Sequence, residues 1–530
     1  MRHTYPRLAS LEAVEARLKE RFDDTFLRLG DLPDPSRFKD MDRAVERIAL
    51  AIEKSERIVL VGDYDVDGVS ATAIMRRFFQ QIDVPLEWII PNRFRDGYGL
   101  SPTLFPKISH ADLVITVDNG IAAVEAADLC REAGIDLIIT DHHIVPRTPP
   151  SAYAIVNQKQ SECSFPYAEI CGAQIAWYLC AALNRRLGKR VNMKELLELA
   201  APAIIADIMP LQHINRTMVQ QGLRILERSR SPFIVAWRER TGKTTLRAED
   251  IAFGLAPLIN SAGRMEDASI ACDYLCAETL SEARRLLEQL EGFNERRKGM
   301  EEMIFREALE GVDPQAPILL AVGESWHEGV LGIVAARLAR RFERPAIVMT
   351  RTQEGYKGSG RSFGSCHLFE LVQSRREYLE KFGGHAAAIG LSLKTEALEP
   401  FSQALKEEAA RRCIAEDFAD PEILGEIDFE LIDWELYRLL ERFEPYGEGN
   451  PRPKFITRRV EIDALRCLGS DGQHLKLQLS KAGRRLEGIW FRFPKLPAVG
   501  ERADLLYTLN ENRFNGRSNL QLLIEKIEKH

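Results

Sequence analysis

Short apolar runs alternate with amphipathic stretches from residue 57 to about 160. The runs at 57–62, 86–91, 112–117, 135–140 and 153–156 have the length and β-branched content of buried strands. Between them, stretches such as 69–80 and 121–133 carry apolar residues at helical spacing. Strand and helix in alternation predict βαβ units around a parallel sheet. Residues 172–230 turn helical. The stretch 279–310 reads as one long charged helix, with Leu280, Ala283, Leu287, Leu290, Met300, Met303 and Ile304 on its apolar side. Such a helix suits a connector between two lobes; a helical hairpin broken near Gly292 is the competing reading. A second α/β pattern opens at Pro317-Ile318-Leu319-Leu320-Ala321-Val322. It runs through a helix at 329–341, a strand at 345–350, a Gly/Ser-rich segment at 355–365 and a loop at Phe382-Gly383-Gly384-His385. Residues 443–453 are dense in turn formers and mark a boundary. Beyond it, alternation as in His474-Leu475-Lys476-Leu477-Gln478-Leu479 predicts a small β-barrel or sandwich.

At 530 residues the chain is too long for one core, and two to four domains are expected. Its 45% hydrophobic and 28% charged content is that of a soluble globular protein. The start, Met-Arg-His-Thr-Tyr-Pro-Arg, lacks the apolar core of a signal peptide, and no apolar run nears the roughly 18 residues of a membrane helix. A cytoplasmic location is expected. The nine cysteines are scattered, the nearest pair being Cys272 and Cys276, and no C-x-x-C occurs. They read as reduced thiols used as small buried apolar residues. Charge is uneven: residues 451–530 hold 16 Lys plus Arg against 9 Asp plus Glu, a balance of +7, which leaves −14 on residues 1–450. A basic C-terminal module on an acidic body suggests a polyanion partner.

The chemistry starts where the first run ends, in Val61-Gly62-Asp63-Tyr64-Asp65-Val66-Asp67-Gly68. Alternate residues of an extended chain point the same way, so Asp63, Asp65 and Asp67 could crowd three carboxylates onto one side of a strand end. Like charges that close call for a cation among them. A solvated acidic turn is the plain alternative, but such turns rarely lie between a buried strand and a helix. Two more runs end in the same grammar: Asp118-Asn119-Gly120 and Asp141-His142-His143. Asp207 closes another apolar run, Ile204-Ile205-Ala206. Ligands bind outside the carboxyl ends of strands in an open parallel sheet, which gives these residues one shared site. Carboxylates with one or two imidazoles and no thiolate suit Mn²⁺ or Mg²⁺. Four or five carboxylates are enough for two divalent ions, about 3.5–4 Å apart in sites that hydrolyse phosphoesters. A second imidazole could bind the scissile phosphate or handle a proton.

Asp63–Gly68, Asp118-Asn119-Gly120, Asp141-His142-His143 and Asp207 resemble the four motifs of the DHH phosphoesterase superfamily. The full layout resembles its RecJ branch of bacterial single-strand-specific 5′→3′ DNA exonucleases. The resemblance implies an α/β fold: a parallel-sheet DHH domain (48–275), a connecting helix (276–312), a smaller α/β DHH-associated domain (313–415) and an all-β OB-fold (454–530). Residues 1–47 would be an N-terminal helical segment and 416–453 a linker. It implies Asp65, Asp67, Asp118, His142 and Asp207 as metal ligands, Asp118 bridging both ions, with Asp63 a ligand or an acid just behind them. His143 would contact the scissile phosphate and Asp141 would orient its neighbours.

In the second lobe, Gly358-Ser359-Gly360-Arg361-Ser362 and Gly383-Gly384-His385 combine close backbone approach with a guanidinium, a hydroxyl and an imidazole, as phosphate sites do. They are similar to the DHH-associated domain, whose GGH loop faces the metals across a cleft. That resemblance implies a 5′-phosphate pocket from Arg264, Ser359 and Arg361, with Arg93 added, although Arg95 stands beside it. His327, in Trp326-His327-Glu328-Gly329-Val330, reads as structural. The basic module carries Phe455, Trp490, Phe491, Phe493, Tyr507 and Phe514, and aromatics amid positive charge provide stacking platforms for single strands. The function implied is two-metal hydrolysis of single-stranded DNA to 5′-mononucleotides in repair and recombination, beside a single-strand-binding protein and a helicase. Two other readings are a DHH phosphodiesterase for short oligonucleotides or cyclic dinucleotides, and a non-catalytic replication scaffold.

Overall fold

Five apolar strands make the first sheet of the computed structural model, which describes residues 4–22, 28–413, 420, 422–469, 472–514 and 517–529. They are β1 (Ile58–Val61), β2 (Glu87–Ile89), β3 (Leu113–Val117), β4 (Asp136–Thr140) and β5 (Ala154–Val156), all parallel, in the order β2-β1-β3-β4-β5. Alternation along β1 sends Ile58 and Leu60 into one core with Ile74 and Phe78. Val59 and Val61 enter another with Leu104, Ala126 and Cys130. Burial on both faces explains why these strands read as unbroken apolar runs.

Helix Leu280–Gly311 runs for 32 residues without a break, so no hairpin forms at Gly292. Leu287 and Leu290 pack on the first domain, whereas Ile304, Phe305 and Ala308 pack in the second lobe. Met303, expected on the apolar side, is 49% exposed because Ile304 and Phe305 take the inward positions.

The second lobe is a mixed sheet of β6 (Leu319–Gly323), β7 (Ala346–Thr352), β8 (Gly355–Arg361), β9 (Lys381–His385) and β10 (Ala388–Leu393), in the order β6-β7-β8-β10-β9. Two expectations fail here. The Gly/Ser-rich segment from 355 is largely strand β8, and the expected loop at Phe382–His385 is strand β9, paired antiparallel to β10. These glycines permit close approach within a sheet, not a turn: a Cβ on Gly360 would lie 2.8 Å from the Ile389 side chain.

β11 (Ile423–Glu426), β12 (Lys454–Leu468), β13 (His474–Lys481), β14 (Arg484–Phe491), β15 (Arg502–Phe514) and β16 (Arg517–Lys529) form the third sheet. It closes into a barrel through the β12–β15 pairing. Of the expected linker at 416–453, the described residues 422–453 belong to this unit. They supply β11 and helix Trp434–Arg442, whose Leu436, Leu439 and Leu440 share a core with Phe455 and Tyr507. Residues 1–47 are divided between units. Helix Leu11–Lys19 adds Val14 and Leu18 to the barrel core, while helix Met41–Glu53 packs on the first domain. Of the barrel aromatics, Phe455 and Tyr507 are fully buried, Trp490 nearly so and Phe493 partly, and Phe491 is exposed. The side chain of Phe514 lies outside the described residues.

The thiols also depart from expectation. Cys366 and Cys413 are joined in a disulfide, and Cys467 is exposed. Among the described residues no helix is long and apolar enough to cross a membrane.

Candidate metal centre and facing cleft

Asp63, Asp65 and Asp67 converge by a different route from strand alternation. β1 ends at Val61, and helix Val66–Gln81 begins three residues earlier than its pattern suggests. Asp65 caps that helix, its Oδ1 accepting from the amides of Asp67 (2.9 Å) and Gly68 (3.1 Å). Asp67 therefore lies in the first helical turn. Gly68 lets the turn fold onto Asp63, since a Cβ there would lie 2.5 Å from the Asp63 Cβ. The Asp67 carboxylate accepts from the amides of Gly172 (2.6 Å) and Ala173 (2.8 Å), at the start of helix Gly172–Arg186, where the helix dipole favours an anion.

Asp118 follows β3 with φ +62°, a left-handed conformation that turns its carboxylate away from the strand. Asn119 ties the strand ends together, donating to the carbonyls of Val61 (3.0 Å) and Val117 (2.9 Å) and accepting from the Leu100 amide (3.0 Å). Gly172 leaves room for Asp118, because a Cβ there would stand 2.5 Å from the Asp118 Cβ. Gly172→Ala is expected to cost about 1–3 kcal/mol by overpacking and to displace Asp118. Melting curves and a nuclease assay should fall together, and an unchanged variant would refute this packing.

His142 Nε2 stands 3.2 Å from Asp118 Oδ1, 3.6 Å from Asp207 Oδ2 and 3.7 Å from Asp67 Oδ2. Asp207 gets there from the C-terminus of helix Leu197–Ala206, not from a strand. Three overlapping sets have donor atoms within 4.8 Å of one another: Asp63, Asp65 and Asp118; Asp67, His142 and Asp207; Asp118, His142 and His143. Asp118 belongs to two of them.

Burial, reinforced by the neighbouring carboxylates, holds Asp63 and Asp118 well above the usual carboxylate range, raises Asp65, and pushes Asp207 up to about 9. Asp63 Oδ1, Asp118 Oδ1 and Asp207 Oδ2 are buried with no hydrogen-bond partner, and His142 Nε2 faces the last two. Unsatisfied buried acceptors around one point, all oxygen or imidazole, fit a hard divalent cation.

Asp141 accepts from the Ile121 amide (2.9 Å), the His143 amide (3.1 Å) and His143 Nδ1 (2.7 Å). Burial opposes its charge, but the His143 bond and charge, with the two amide bonds, together outweigh it and hold Asp141 below the ordinary carboxylate range. Burial opposes the charge of His143 too, but that bond and the charges of Asp141, Asp207 and Asp65 together outweigh it and raise His143 to about 9. Burial lowers His142.

His143 opens onto a cleft of about 1000 Å³ between the first domain and the second lobe. Arg93, Arg264, Ser359, Arg361, Gly383, Gly384 and His385 all line it. Arg361 Nη1 donates to Ser359 Oγ (3.1 Å), and Arg264 Nη1 reaches across the lobes to the Gly329 carbonyl (3.2 Å). Burial, then the charges of Arg93, Arg297 and Arg361, lowers Arg264 to about 10. A buried guanidinium crowded by three others favours an anion beside it. Arg93 stacks 4.7 Å from the Tyr64 ring centroid, which holds it, rather than Arg95, in the cleft. His327 Nδ1 accepts from the Gly329 amide (3.1 Å) and caps a turn.

Tyr98 went unnoticed in the sequence. Its ring meets His143 edge-on and its hydroxyl donates to the Asp118 carbonyl at 3.4 Å. Gly97 and Gly99, both at positive φ, flank it, and that pair was the available signal. Lys357 and Lys381 of the cleft were also missed, because a lone lysine in a strand looks like solvated charge.

Profiles of the DHH family N-terminal domain, the DHHA1 domain and the RecJ OB domain match residues 57–204, 315–411 and 423–526 in that order. The single-stranded-DNA-specific exonuclease RecJ of Salmonella typhimurium is 34% identical over 527 residues, covering 92% of this chain and 90% of that protein. The chain belongs to the RecJ family. RecJ of Bacillus subtilis is 35% identical over 514 residues, and the match takes in 94% of this chain but only 64% of that longer protein. The crystal structure of Thermus thermophilus RecJ with Mn²⁺ superposes with a TM-score of 0.83 at 28% identity, over 100% of this chain and 80% of that one. A second structure, with Mg²⁺, gives 0.77 at 27% identity, over 98% and 76%. RecJ proteins are single-stranded-DNA exonucleases of the DHH superfamily, and nothing in these likenesses favours the dinucleotide phosphodiesterase or the scaffold.

Proposed function

We propose that this chain hydrolyses single-stranded DNA from its 5′ end, releasing 5′-mononucleotides, with two Mn²⁺ or Mg²⁺ ions held by Asp63, Asp65, Asp67, Asp118, His142 and Asp207. The decisive support is one cleft that sets His143 and its acid cluster opposite Arg264, Ser359 and Arg361. Bound there, divalent ions supply charge neutralisation, Lewis-acid polarisation of the phosphodiester and an acidified water. The chain's own residues do the rest. Arg264, Arg361 and Ser359 grip the terminal phosphate and thereby set which bond meets the acid cluster. Gly383 and Gly384 let backbone approach the strand, with His385 beside them. Asp141 fixes the His143 ring through Nδ1, leaving Nε2 to contact the scissile phosphate. Arg93 adds positive charge at the cleft mouth. Contacts limited to phosphates explain acceptance of any base.

In this reading the chain acts in the cytoplasm, in repair and recombination, beside a helicase and a single-strand-binding protein. Its domains follow the divisions expected above, with 422–453 assigned to the barrel. The test is one oligonucleotide labelled at either end, with and without a 5′ phosphate. Mononucleotides should come first from the 5′ end, faster when it is phosphorylated. Arg361→Ala should raise KM about ten- to hundredfold, the worth of one charged hydrogen bond, and should erase the preference for phosphate. Digestion from the 3′ end would overturn the reading.

A further inference from the structure

One face of the second lobe's sheet is only half covered. Helix Leu331–Phe342 packs on β6 and β7, where Val334 and Leu338 share a core with Leu319, Ala346 and Val348. Beyond them β8, β10 and β9 turn the same face to the cleft. Residues directly opposite on neighbouring antiparallel strands point the same way, so this wall is laid out in rows. Arg361, Ala388 and His385 make one row, Ser359, Gly390 and Gly383 the next, and Lys357, Ser392 and Lys381 the third. Each row stands about 7 Å from the next, two residues along a strand.

The first two rows hold the groups assigned above to the 5′ phosphate, and the third is unused. The first row is the one nearest the acid cluster: burial, then the charges of Arg361 and His143, lowers His385. The third row lies past the phosphate pocket, farther from His143. Between them the floor is bare. Neither Gly383 nor Gly390 is in the left-handed region, and a Cβ on either would meet nothing within 4 Å. Neither backbone conformation nor packing calls for glycine at these two positions, although glycine weakens a strand. The missing side chains leave a path along which a ligand can run from Arg361 to the lysines. Two ammonium groups and a hydroxyl at its end suit phosphate, whereas a base of any sequence offers no constant negative group. Lys357 Nζ stands 3.3 Å from the Glu328 carboxylate, and such an exposed pair exchanges readily for another anion.

Resting on the 5′-phosphate pocket proposed above, we infer that Lys357, Lys381 and Ser392 form a second anion subsite, which takes the β- and γ-phosphates of a strand ending in a 5′-triphosphate. The α-phosphate stays with Arg264, Ser359 and Arg361, and the two further phosphoryl groups cover the step to the lysines. The bond that meets the acid cluster is unchanged. Water adds its oxygen to the phosphorus of the first internucleotide linkage. The bond from that phosphorus to the 3′ oxygen breaks, and the 3′ oxygen takes up the proton. The first product is then a nucleoside 5′-triphosphate, and the shortened strand carries an ordinary 5′ phosphate.

The test offers the full chain, with Mn²⁺, one oligonucleotide bearing a 5′ hydroxyl, a 5′ monophosphate or a 5′ triphosphate, and identifies the first product by mass spectrometry. The triphosphate end should show a KM about tenfold below that of the monophosphate end at similar kcat, the worth of one charge-assisted hydrogen bond. It should release a nucleoside triphosphate first. Lys357→Gln combined with Lys381→Gln should erase that advantage and leave the monophosphate end unchanged. Glu328→Gln, by freeing Lys357, should widen it. A monophosphate preferred to a hydroxyl but not bettered by a triphosphate would sink this subsite alone. No preference between hydroxyl and monophosphate would sink the pocket on which it rests. Release of pyrophosphate before the first cut would overturn the subsite too. So would equal losses on both phosphorylated substrates in the double lysine variant, since the lysines would then hold the strand itself.

Discussion

Asp118→Asn is expected to abolish nuclease activity while raising the melting temperature of the metal-free protein. Asp118 is 1% exposed and is shared by two of the three donor sets. Losing its charge forfeits several kcal/mol of metal-based stabilisation, about 10³-fold or more in rate at about 1.4 kcal/mol per tenfold. The same charge is a liability without cations, because burial and the charges of Asp67, Asp65, Asp63 and Asp207 all oppose it. Asparagine keeps the volume and removes the repulsion. Activity with Mn²⁺ and melting in a chelator are the two measurements. A variant that keeps activity, or melts lower in the chelator, would show that Asp118 does not bridge the site. Opposite signs in function and stability are the mark of a site maintained against folding.

Chelation should destabilise the metal-loaded protein, and the chelated protein should lose stability as pH rises. Asp207 in the folded chain titrates near 9, against about 3.9 for an unfolded aspartate. Its bound proton therefore favours the folded state, fully below about pH 4, and that contribution is lost as pH climbs through about 9. A cation takes the place of the proton. At a hundredfold excess over Kd it adds about 2.7 kcal/mol, and its binding strengthens as protons cease to compete. Melting temperature, followed from about pH 6 to about pH 9 with chelator and then with Mn²⁺, should fall with pH in the first series and recover in the second, most at the alkaline end. Superimposable series would mean that the acid cluster binds no cation.

The residues most legible in the sequence are those whose local pattern is also their structural cause. β1, β3 and β4 are buried on both faces, so their apolar runs mark them directly, and Asp118 and His142 follow because a parallel strand must end at the ligand edge. The Asp63–Asp67 cluster was legible as a cluster but not in its geometry. The alternation of a strand and the cap of a helix both place residues i and i+2 near one another, and only the amide bonds to Asp65 Oδ1 separate the two. Gly383 and Gly384 suggested a loop because glycine is a turn former. Their strand is one arm of a hairpin, paired with Gly390 and Ile389 across Ala386-Ala387, a two-residue turn without the Asn-Gly or Asp-Gly that marks such turns in a sequence. Helix Trp434–Arg442 was lost in the expected linker, since its apolar side is satisfied by barrel strands that follow it and that no local window contains. Tyr98 acts by touching Asp118 and His143, and proximity of that kind leaves no periodic trace.

Helix Leu280–Gly311 acts as a ruler with a phase. At about 1.5 Å per residue its 32 residues span about 48 Å. One end is seated in the first domain and the other in the second lobe. A single residue inserted between Phe293 and Ile304 would turn the second lobe by about 100° relative to the acid cluster, while a full two-turn insertion of seven would restore its facing but move it about 10 Å away. The spacing and facing of the two cleft walls are thus written into a helical pitch, and an insertion there would re-aim one wall while leaving the other intact.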